Sequence, residues 1–137
     1  MKTWLIDSGP LVALLVGDDS QHAWAVEQSK HSPATVLTCE AVISEALFLL
    51  KREGYDGDDL FALVEVGFLR TDFEFHAEQS RIRELMKRYR TTPMSFADAC
   101  LVRMAELHPD VCVWTLDRDF QFYRKHRRHT LSLVAPF

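Results

Sequence analysis

The sequence has few of the features that stabilise small secreted domains. It contains three cysteines in 137 residues, and Cys39, Cys100 and Cys112 form no C-x-x-C pair. An odd number of widely separated cysteines argues against a disulfide framework and is typical of a reducing compartment. We therefore expect a cytoplasmic protein.

Long apolar runs are also missing. No segment approaches the roughly 20 apolar residues that a membrane-spanning helix needs, so we expect no membrane partner. Asp7 interrupts the apolar residues at the N-terminus and Pro10 follows, which disfavours a signal peptide. With 47% hydrophobic residues, residues 1–137 are expected to form one domain with a substantial core.

Positive charge is scarce overall and unevenly distributed. The formal net charge is −4, which gives no general reason to expect nucleic-acid binding. Residues 1–80 carry a net charge of −9, whereas residues 81–137 carry +5. This asymmetry suggests an anionic partner near the C-terminal part, although the more ordinary explanation is the solvated face and basic end of one helix.

The motifs of several enzyme classes are absent. The histidines show no H-E-x-x-H or other zinc-binding spacing, and no Walker lysine motif occurs. An Asp at the end of a parallel strand can act as a phosphotransfer nucleophile, but Asp7-Ser8-Gly9 lacks the second Asp of a D-x-D motif. A phosphotransfer or receiver-like enzyme is therefore the weaker hypothesis.

Local signals predict strands that alternate with helices. Strands are expected at residues 3–6, 35–38, 73–75, 111–116 and 131–134, and helices after Pro10 and at 21–30, 41–51, from 56, 78–89, 97–107 and 119–125. This alternation predicts an α/β fold whose mainly parallel sheet is covered by helices on both faces. Trp4 and Trp114, in two of the strands, are expected to pack in the core.

Four acidic residues occupy positions where such a fold collects function. Asp7 and Asp117 directly follow strands, Asp98 begins a helix, and Glu45 lies on the apolar face of another. Three have ordinary explanations, namely a turn for Asp7, an N-cap for Asp117 and a capping box with Ser95 for Asp98. Glu45 has none, because a buried unpaired carboxylate is costly.

A shared cation explains all four acids together. Clustered carboxylates repel one another unless a hard cation or helix N-termini compensate. Mg²⁺ or Mn²⁺ suits ligands that are all oxygen, and such an ion can orient an attacking water and stabilise the leaving oxygen of a phosphate ester. The predicted chemistry is phosphodiester hydrolysis.

Four segments, in this order, resemble the PIN domain: Trp4-Leu5-Ile6-Asp7-Ser8, Val42-Ile43-Ser44-Glu45-Ala46-Leu47, Phe96-Ala97-Asp98-Ala99 and Thr115-Leu116-Asp117-Arg118-Asp119-Phe120. The resemblance implies a three-layer α/β/α sandwich and a Mg²⁺- or Mn²⁺-dependent nuclease, usually an endoribonuclease. Chains this short resemble the VapC toxins of prokaryotic toxin–antitoxin pairs. That resemblance implies an RNA substrate, a cognate antitoxin and a homodimer.

The resemblance also implies roles for single residues. Asp7 and Asp98 would be the principal metal ligands, and Glu45 and Asp117 would complete the catalytic acidic cluster. Secondary positions would fall to Ser8, Thr115 and Asp119. Thr115 would orient Asp117 or a water, and Asp119 would be either an outer ligand or a partner of the helix dipole.

Two further hypotheses stay open at this point. The run Arg124-Lys125-His126-Arg127-Arg128-His129, with Arg124, Lys125, Arg127 and Arg128 as its permanent cations, would bind RNA phosphates or form a helix end with a solvated turn. The alternative function is a non-catalytic module that keeps the fold and binds nucleic acid or regulates. The presence of all four acids argues against that alternative.

Overall fold

A parallel sheet lies between two layers of helices in the computed structural model, which describes residues 2–137. Its strands are β1 (Thr3–Ile6), β2 (Val36–Thr38), β3 (Leu69–Thr71), β4 (Val111–Trp114) and β7 (Ser132–Val134), in the spatial order β3-β2-β1-β4-β7. All four neighbouring pairs are parallel. The predicted α/β/α architecture is confirmed.

Within the described residues, six helices connect and cover these strands: α1 (Ser8–Leu15), α2 (His22–Ser29), α3 (Glu40–Arg52), α4 (Asp58–Glu65), α5 (Phe75–Arg88) and α6 (Phe96–Leu107). A 3₁₀ helix follows β4 at Arg118–Gln121. After it, β5 (Arg124–Lys125) and β6 (His129–Thr130) form a separate antiparallel hairpin.

Alternate residues of the central strands face two different cores. Ile6 and Trp114 pack with Leu11 of α1 and other residues of the first four helices. Leu5 and Val113 pack on the opposite side, with residues of α5 and α6. Because successive side chains of a strand point to opposite faces, two buried faces require the nearly continuous apolar runs seen in β1 and β4.

Two predicted elements are wrong. Residues 73–75 are not a strand, since Phe75 is the first residue of α5 and the strand before it is Leu69–Thr71. The 119–125 segment is not a continuous helix either. The 3₁₀ helix ends at Gln121, and the chain continues into the β5–β6 hairpin. His126 and Arg127 adopt positive φ angles of 49° and 69° that turn the chain back.

The two strand tryptophans pack in the core, as the sequence predicted. Trp4 and Trp114 are buried and meet edge to face with ring centroids 5.5 Å apart. Cys39, Cys100 and Cys112 are free and buried. No helix within the described residues is both long enough and apolar enough to cross a membrane.

Candidate active site

The carboxyl ends of β1 and β4 lie side by side and position the candidate site. The two strands pair in register, with Ile6 opposite Trp114. Asp7 immediately follows the first strand and Asp117 lies three residues beyond the second. Asp98 reaches the same place from the first turn of α6, which packs against both strands.

Three carboxylates converge at this point. Asp7, Asp98 and Asp117 each present one oxygen, and these oxygens lie within 4.8 Å of one another. Asp7 and Asp98 are only 5% and 6% exposed, and Asp117 is half-buried. Across residues 2–137, no other group of three His, Cys, Asp or Glu side chains is placed to hold one ion.

Two of these acids also cap the helices that follow them. Oδ1 of Asp7 accepts a hydrogen bond from the backbone N–H of Ser8 at 2.8 Å, and Oδ1 of Asp117 accepts one from Asp119 N–H at 2.9 Å. A carboxylate that caps a helix can therefore also belong to the cluster. Capping fixes each side chain with one oxygen bonded to the backbone and brings the positive end of a helix to the cluster.

Thr115 connects two of the three acids. Its hydroxyl donates to Oδ2 of Asp7 at 2.8 Å and accepts the backbone N–H of Asp117 at 2.9 Å. Thr115 is completely buried, so its hydroxyl has no access to solvent and is held in one orientation by these two partners. The side chain positions both acids.

Asp98 is held by two donors on one of its oxygens. Oδ2 accepts the Ser95 backbone N–H at 3.2 Å and the hydroxyl of Tyr123 at 3.0 Å. The Ser95 hydroxyl accepts the Asp98 N–H in return, which completes the predicted capping box. Within the described residues, Oδ1 of Asp98 accepts no hydrogen bond and remains available to the site.

Glu45 lies beside the three aspartates and takes a different contact. Its Oε1 accepts a short hydrogen bond from the hydroxyl of Ser8. Glu45 is half-buried on α3 and is near enough for its charge to raise the pKa of Asp7. It therefore adds negative charge at the edge of the cluster, and Ser8 holds its side chain in place.

A family model covers the part of the chain that forms the site. The model of the PIN domain matches residues 4–126, which include all four acids. The chain belongs to the PIN-domain family.

A solved structure shows the same fold. It is the crystal structure of Mycobacterium tuberculosis VapC20, described as a sarcin-ricin loop cleaving toxin, with a TM-score of 0.62 and 22% sequence identity. The similarity covers 74% of this chain and 82% of that one. None of the curated proteins compared with the chain matches its sequence.

Electrostatics in this PIN domain disfavour three ionised aspartates without a cation. Burial, helped by the charges of Asp98 and Glu45, raises the pKa of Asp7 to about 7, although the hydrogen bonds from Thr115 and Ser8 act to lower it. Burial also raises the pKa of Asp98, and the charge of Asp117 acts in the same direction. A bound cation would relieve both the desolvation and the repulsion.

Two arginines of the basic run contact residues other than the clustered acids. Arg127 forms a short ion pair with Glu84 of α5, and its backbone carbonyl accepts from Arg88. Arg124 donates to the backbone carbonyls of Gln121 and Tyr123. RNA binding by Arg124, Lys125, Arg127 and Arg128 therefore stays a prediction.

Asp119 also stays outside the cluster of three. It supplies the N–H that Asp117 caps, and its half-buried carboxylate is not among the converging oxygens. Of the two roles expected for it, the one as an acid in the first turn of the following helix has support from the contacts.

Tyr123 was not among the site residues predicted from the sequence. The side chain is fully buried, and its only hydrogen bond within the described residues is the one to Asp98. A buried tyrosine needs a partner for its hydroxyl, but its place in a predicted helix gave no reason to direct it towards an acid 25 residues earlier. Its contacts make it a positioning residue for Asp98.

Proposed function

We propose that this chain is a Mg²⁺- or Mn²⁺-dependent endoribonuclease that hydrolyses RNA phosphodiester bonds. The observation that carries the proposal is the convergence of Asp7, Asp98 and Asp117 within 4.8 Å at the carboxyl end of a parallel sheet. Function in open parallel sheets collects at this edge. The family to which the chain belongs supports the nuclease class.

The donor set fits a hard divalent cation. All the converging ligand atoms are carboxylate oxygens, which Mg²⁺ and Mn²⁺ prefer over nitrogen or sulfur. Oδ1 of Asp98 and Oδ2 of Asp117 accept no hydrogen bond from the described residues, so they are free to bind an ion. When bound, the ion would supply Lewis-acid activation of the phosphate and of the attacking water.

The residues of the chain have separate tasks in this proposal. Asp7, Asp98 and Asp117 bind the ion, and Glu45 accepts a proton from the attacking water or orients it. Three neighbouring hydroxyls, those of Ser8, Thr115 and Tyr123, hold the carboxylates in place through the bonds described above. Positioning of this kind is needed because displaced ligands lose affinity and rate.

We also propose that this nuclease acts as a toxin. This proposal rests on the fold shared with VapC20, a toxin that cleaves the sarcin-ricin loop. A toxin requires a cognate antitoxin, and we propose that partner together with a homodimer and a cytoplasmic location. The three free, buried thiols are compatible with that compartment.

Cleavage of RNA by the purified chain, freed of any antitoxin, tests the catalytic proposal. A mixture of tRNA, mRNA and ribosomal RNA is incubated with Mg²⁺ or Mn²⁺, with an EDTA arm and with Asp98→Asn. Asparagine keeps a carbonyl oxygen that can accept from Ser95, so the capping box and the fold should survive. We expect cleavage by the wild type and loss in both other arms.

Asp110→Asn is the matched control. Asp110 lies in the turn before β4, at the opposite end of the sheet, and its side chain is 61% exposed in an ion pair with Lys2. Such a pair contributes little to stability, and asparagine tolerates the positive φ of 49° found there. This variant should cleave like the wild type. Absence of cleavage of every RNA by the wild type would favour the non-catalytic module.

A further inference from the structure

An open pocket lies between α5 and α6, outside the carboxylate cluster. We call it the α5–α6 pocket; Phe75, Ile82, Met86 and Phe96 form its apolar lining, and its volume is about 440 Å³. Ile82 is buried and forms the floor, whereas Phe75 and Phe96 are 50% and 43% exposed. The volume is sufficient for a planar ring system the size of a nucleobase.

The two phenylalanines form a corner in this pocket. Their ring centroids are 5.4 Å apart and the ring planes cross at 75°. A flat ring that lies against one phenylalanine therefore meets the edge of the other, and both contacts are favourable for aromatic groups. This geometry accepts a planar aromatic ligand better than a branched aliphatic side chain.

Three cations surround the same opening. Arg83, Lys87 and Arg90 line the pocket with the apolar residues, and none of them has a carboxylate partner within residues 2–137. The nearby acid Glu84 is already paired with Arg81 and Arg127. Arg83 and Lys87 are four residues apart on α5, a spacing at which like charges destabilise a helix. An anion at the pocket would relieve that repulsion.

Helix α6 connects the pocket to the candidate active site. Phe96 is its first residue and Asp98 is its third, so their Cα atoms are about 5 Å apart by helix geometry. The two side chains diverge, since residues two apart point to opposite sides of a helix. A strand of RNA that crosses the first turn of α6 can reach both.

We propose that the α5–α6 pocket binds an unpaired nucleobase of single-stranded RNA next to the scissile phosphate, while Arg83, Lys87 and Arg90 contact neighbouring phosphates. The inference rests on the proposed ribonuclease function and names its substrate class. Bases in a duplex are stacked on their neighbours and cannot enter such a corner, whereas bases in loops and single strands can. The substrate is therefore an unpaired segment.

The positive charge around the α5–α6 pocket favours RNA over a second copy of the chain as its occupant. A two-fold contact through this pocket would bring three cations of one protomer towards the same three of its partner, which costs free energy. Another exposed aromatic surface, around Phe61 of α4, offers a contrast. Lys51 is the one cation among the described residues that line its pocket, and Asp56, Asp58, Asp59 and Glu65 are close in sequence, so this surface has less attraction for RNA.

Equilibrium binding to a short fluorescein-labelled RNA tests the inference. All proteins carry Asp98→Asn and the buffer contains EDTA, so that binding is measured without cleavage. We expect Phe96→Ala and Phe75→Ala each to weaken binding by about tenfold, since stacking on an aromatic side chain is lost. Phe96→Tyr keeps the ring and should bind like the parent, as should Phe61→Ala, which removes another exposed phenylalanine elsewhere.

Salt dependence tests the cations separately. Replacing Lys87 with glutamine should reduce the slope of log affinity against log salt concentration by about 0.7, the value for one phosphate contact on a single strand. A duplex of the same sequence should bind more weakly than the single strand, and its affinity should not depend on Phe96. Thermal unfolding of each variant verifies that the substitution leaves the fold intact.

Several results would overturn the inference. Unchanged RNA affinity in both Phe96→Ala and Lys87→Gln would do so, as would equal, Phe96-dependent binding of the duplex. Dissociation of a dimer on Phe96→Ala with RNA affinity unchanged would assign the pocket to a protein partner instead. RNA binding that depends on Phe96 in a chain that never cleaves RNA would support the pocket and remove the proposed nuclease activity.

Discussion

The Thr115 hydroxyl donates a hydrogen bond to Oδ2 of Asp7 at 2.8 Å, although 108 residues separate the two in sequence. The same hydroxyl accepts the N–H of Asp117. Parallel pairing of β1 with β4 creates this contact, because it places the residues that follow the two strands side by side. One buried side chain thus couples the capping of a helix to the geometry of the carboxylate cluster.

Thr115→Val tests this coupling with a side chain of nearly the same shape. The variant loses the donor to Asp7, so the pKa of Asp7 should rise further above its ordinary value and protons should compete better with Mn²⁺. We expect apparent Mn²⁺ affinity at pH 7 to fall by about tenfold, as for loss of a group that orients a ligand. Calorimetric titration at pH 7 and pH 8.5 measures this, and the deficit should be smaller at the higher pH.

Thr115→Ser is the control for that prediction. Serine retains the hydroxyl and loses only a methyl group, so Mn²⁺ affinity should stay within about twofold of the wild type, with some loss of stability from the smaller side chain. Equal Mn²⁺ affinity in the valine variant and the wild type would show that the hydroxyl does not position the acids.

Tyr123→Phe removes the hydroxyl that holds Asp98. The ring packs against Phe120 and Tyr89 at centroid distances of 5.2 Å, so the variant should fold with only about 1 kcal/mol of lost stability, the usual net value of one hydrogen bond. Asp98 would then lose one of the two donors to Oδ2, and we expect cleavage to slow by about 10- to 100-fold.

Tyr89→Phe provides the matched comparison for Tyr123→Phe. The Tyr89 hydroxyl accepts the backbone N–H of Arg124 and makes no contact with an acid of the cluster. Its loss should cost similar stability with little effect on the rate. A similar reduction in rate in both variants would mean that the effect comes from packing of the tyrosine pair and not from Asp98.

The pKa of Asp7 predicts how the stability of the metal-free protein varies with pH. The folded protein holds this proton up to about pH 7, whereas the ordinary pKa is 3.8. Because the pKa of Asp7 is higher in the folded state, its contribution to the free energy of unfolding is most favourable below about pH 4. This contribution is lost as pH rises towards 7. The difference corresponds to about 4 kcal/mol as an upper bound.

Asp7→Asn should therefore be more stable than the wild type in EDTA at pH 8, and the advantage should shrink on acidification to pH 5. Urea unfolding at the two pH values measures it. Mn²⁺ should reverse the order at pH 8, since it binds and stabilises only the wild type strongly. If the wild type stays more stable than Asp7→Asn at pH 8 without metal, the raised pKa of the buried Asp7 is contradicted.

Sequence patterns predicted the sheet and most helices because both depend on local and periodic signals. The apolar runs of β1 and β4 give the buried strands, and Ser95 with Asp98 gives the start of α6. Patterns failed where tertiary contacts decide the conformation. The positive φ angles of His126 and Arg127 form a hairpin in a segment of helical propensity, and the backbone N–H of His126 is bonded to Glu106 of α6.

The acids of the candidate site could be predicted from the sequence, but their arrangement in space could not. Acids after strands and at helix starts are visible in the sequence, so Asp7, Asp98 and Asp117 could be named. Their convergence depends on the order of strands in the sheet, and the contact of Tyr123 with Asp98 depends on how the chain turns after β4. No local signal carries that information.

The buried carboxylate of Glu106 provides the last prediction, which concerns stability rather than catalysis. Its side chain is 1% exposed and accepts hydrogen bonds from Arg81, Arg103 and the His126 N–H. Burial alone would raise the pKa of Glu106, but these donors outweigh burial and lower the pKa to about 2. Glu106 thereby connects α5, α6 and the β5–β6 hairpin.

Glu106→Gln should destabilise the protein by about 2–3 kcal/mol at pH 7, because it removes the charged acceptor that two arginines share, although Arg81 keeps Glu84 and Arg103 keeps Glu78 as partners. Because the pKa of Glu106 is lower in the folded state, its contribution to the free energy of unfolding is complete above about pH 4.5 and is lost as pH falls towards 2. The difference in unfolding free energy between variant and wild type should therefore narrow on acidification. Urea unfolding at pH 7 and pH 3 measures both quantities. Folded Glu106→Gln should retain Mn²⁺ affinity, because Glu106 makes none of the contacts that position the three aspartates. An unfolding free energy that the substitution leaves unchanged at pH 7 would show that pairing with Glu84 and Glu78 is sufficient for the two arginines.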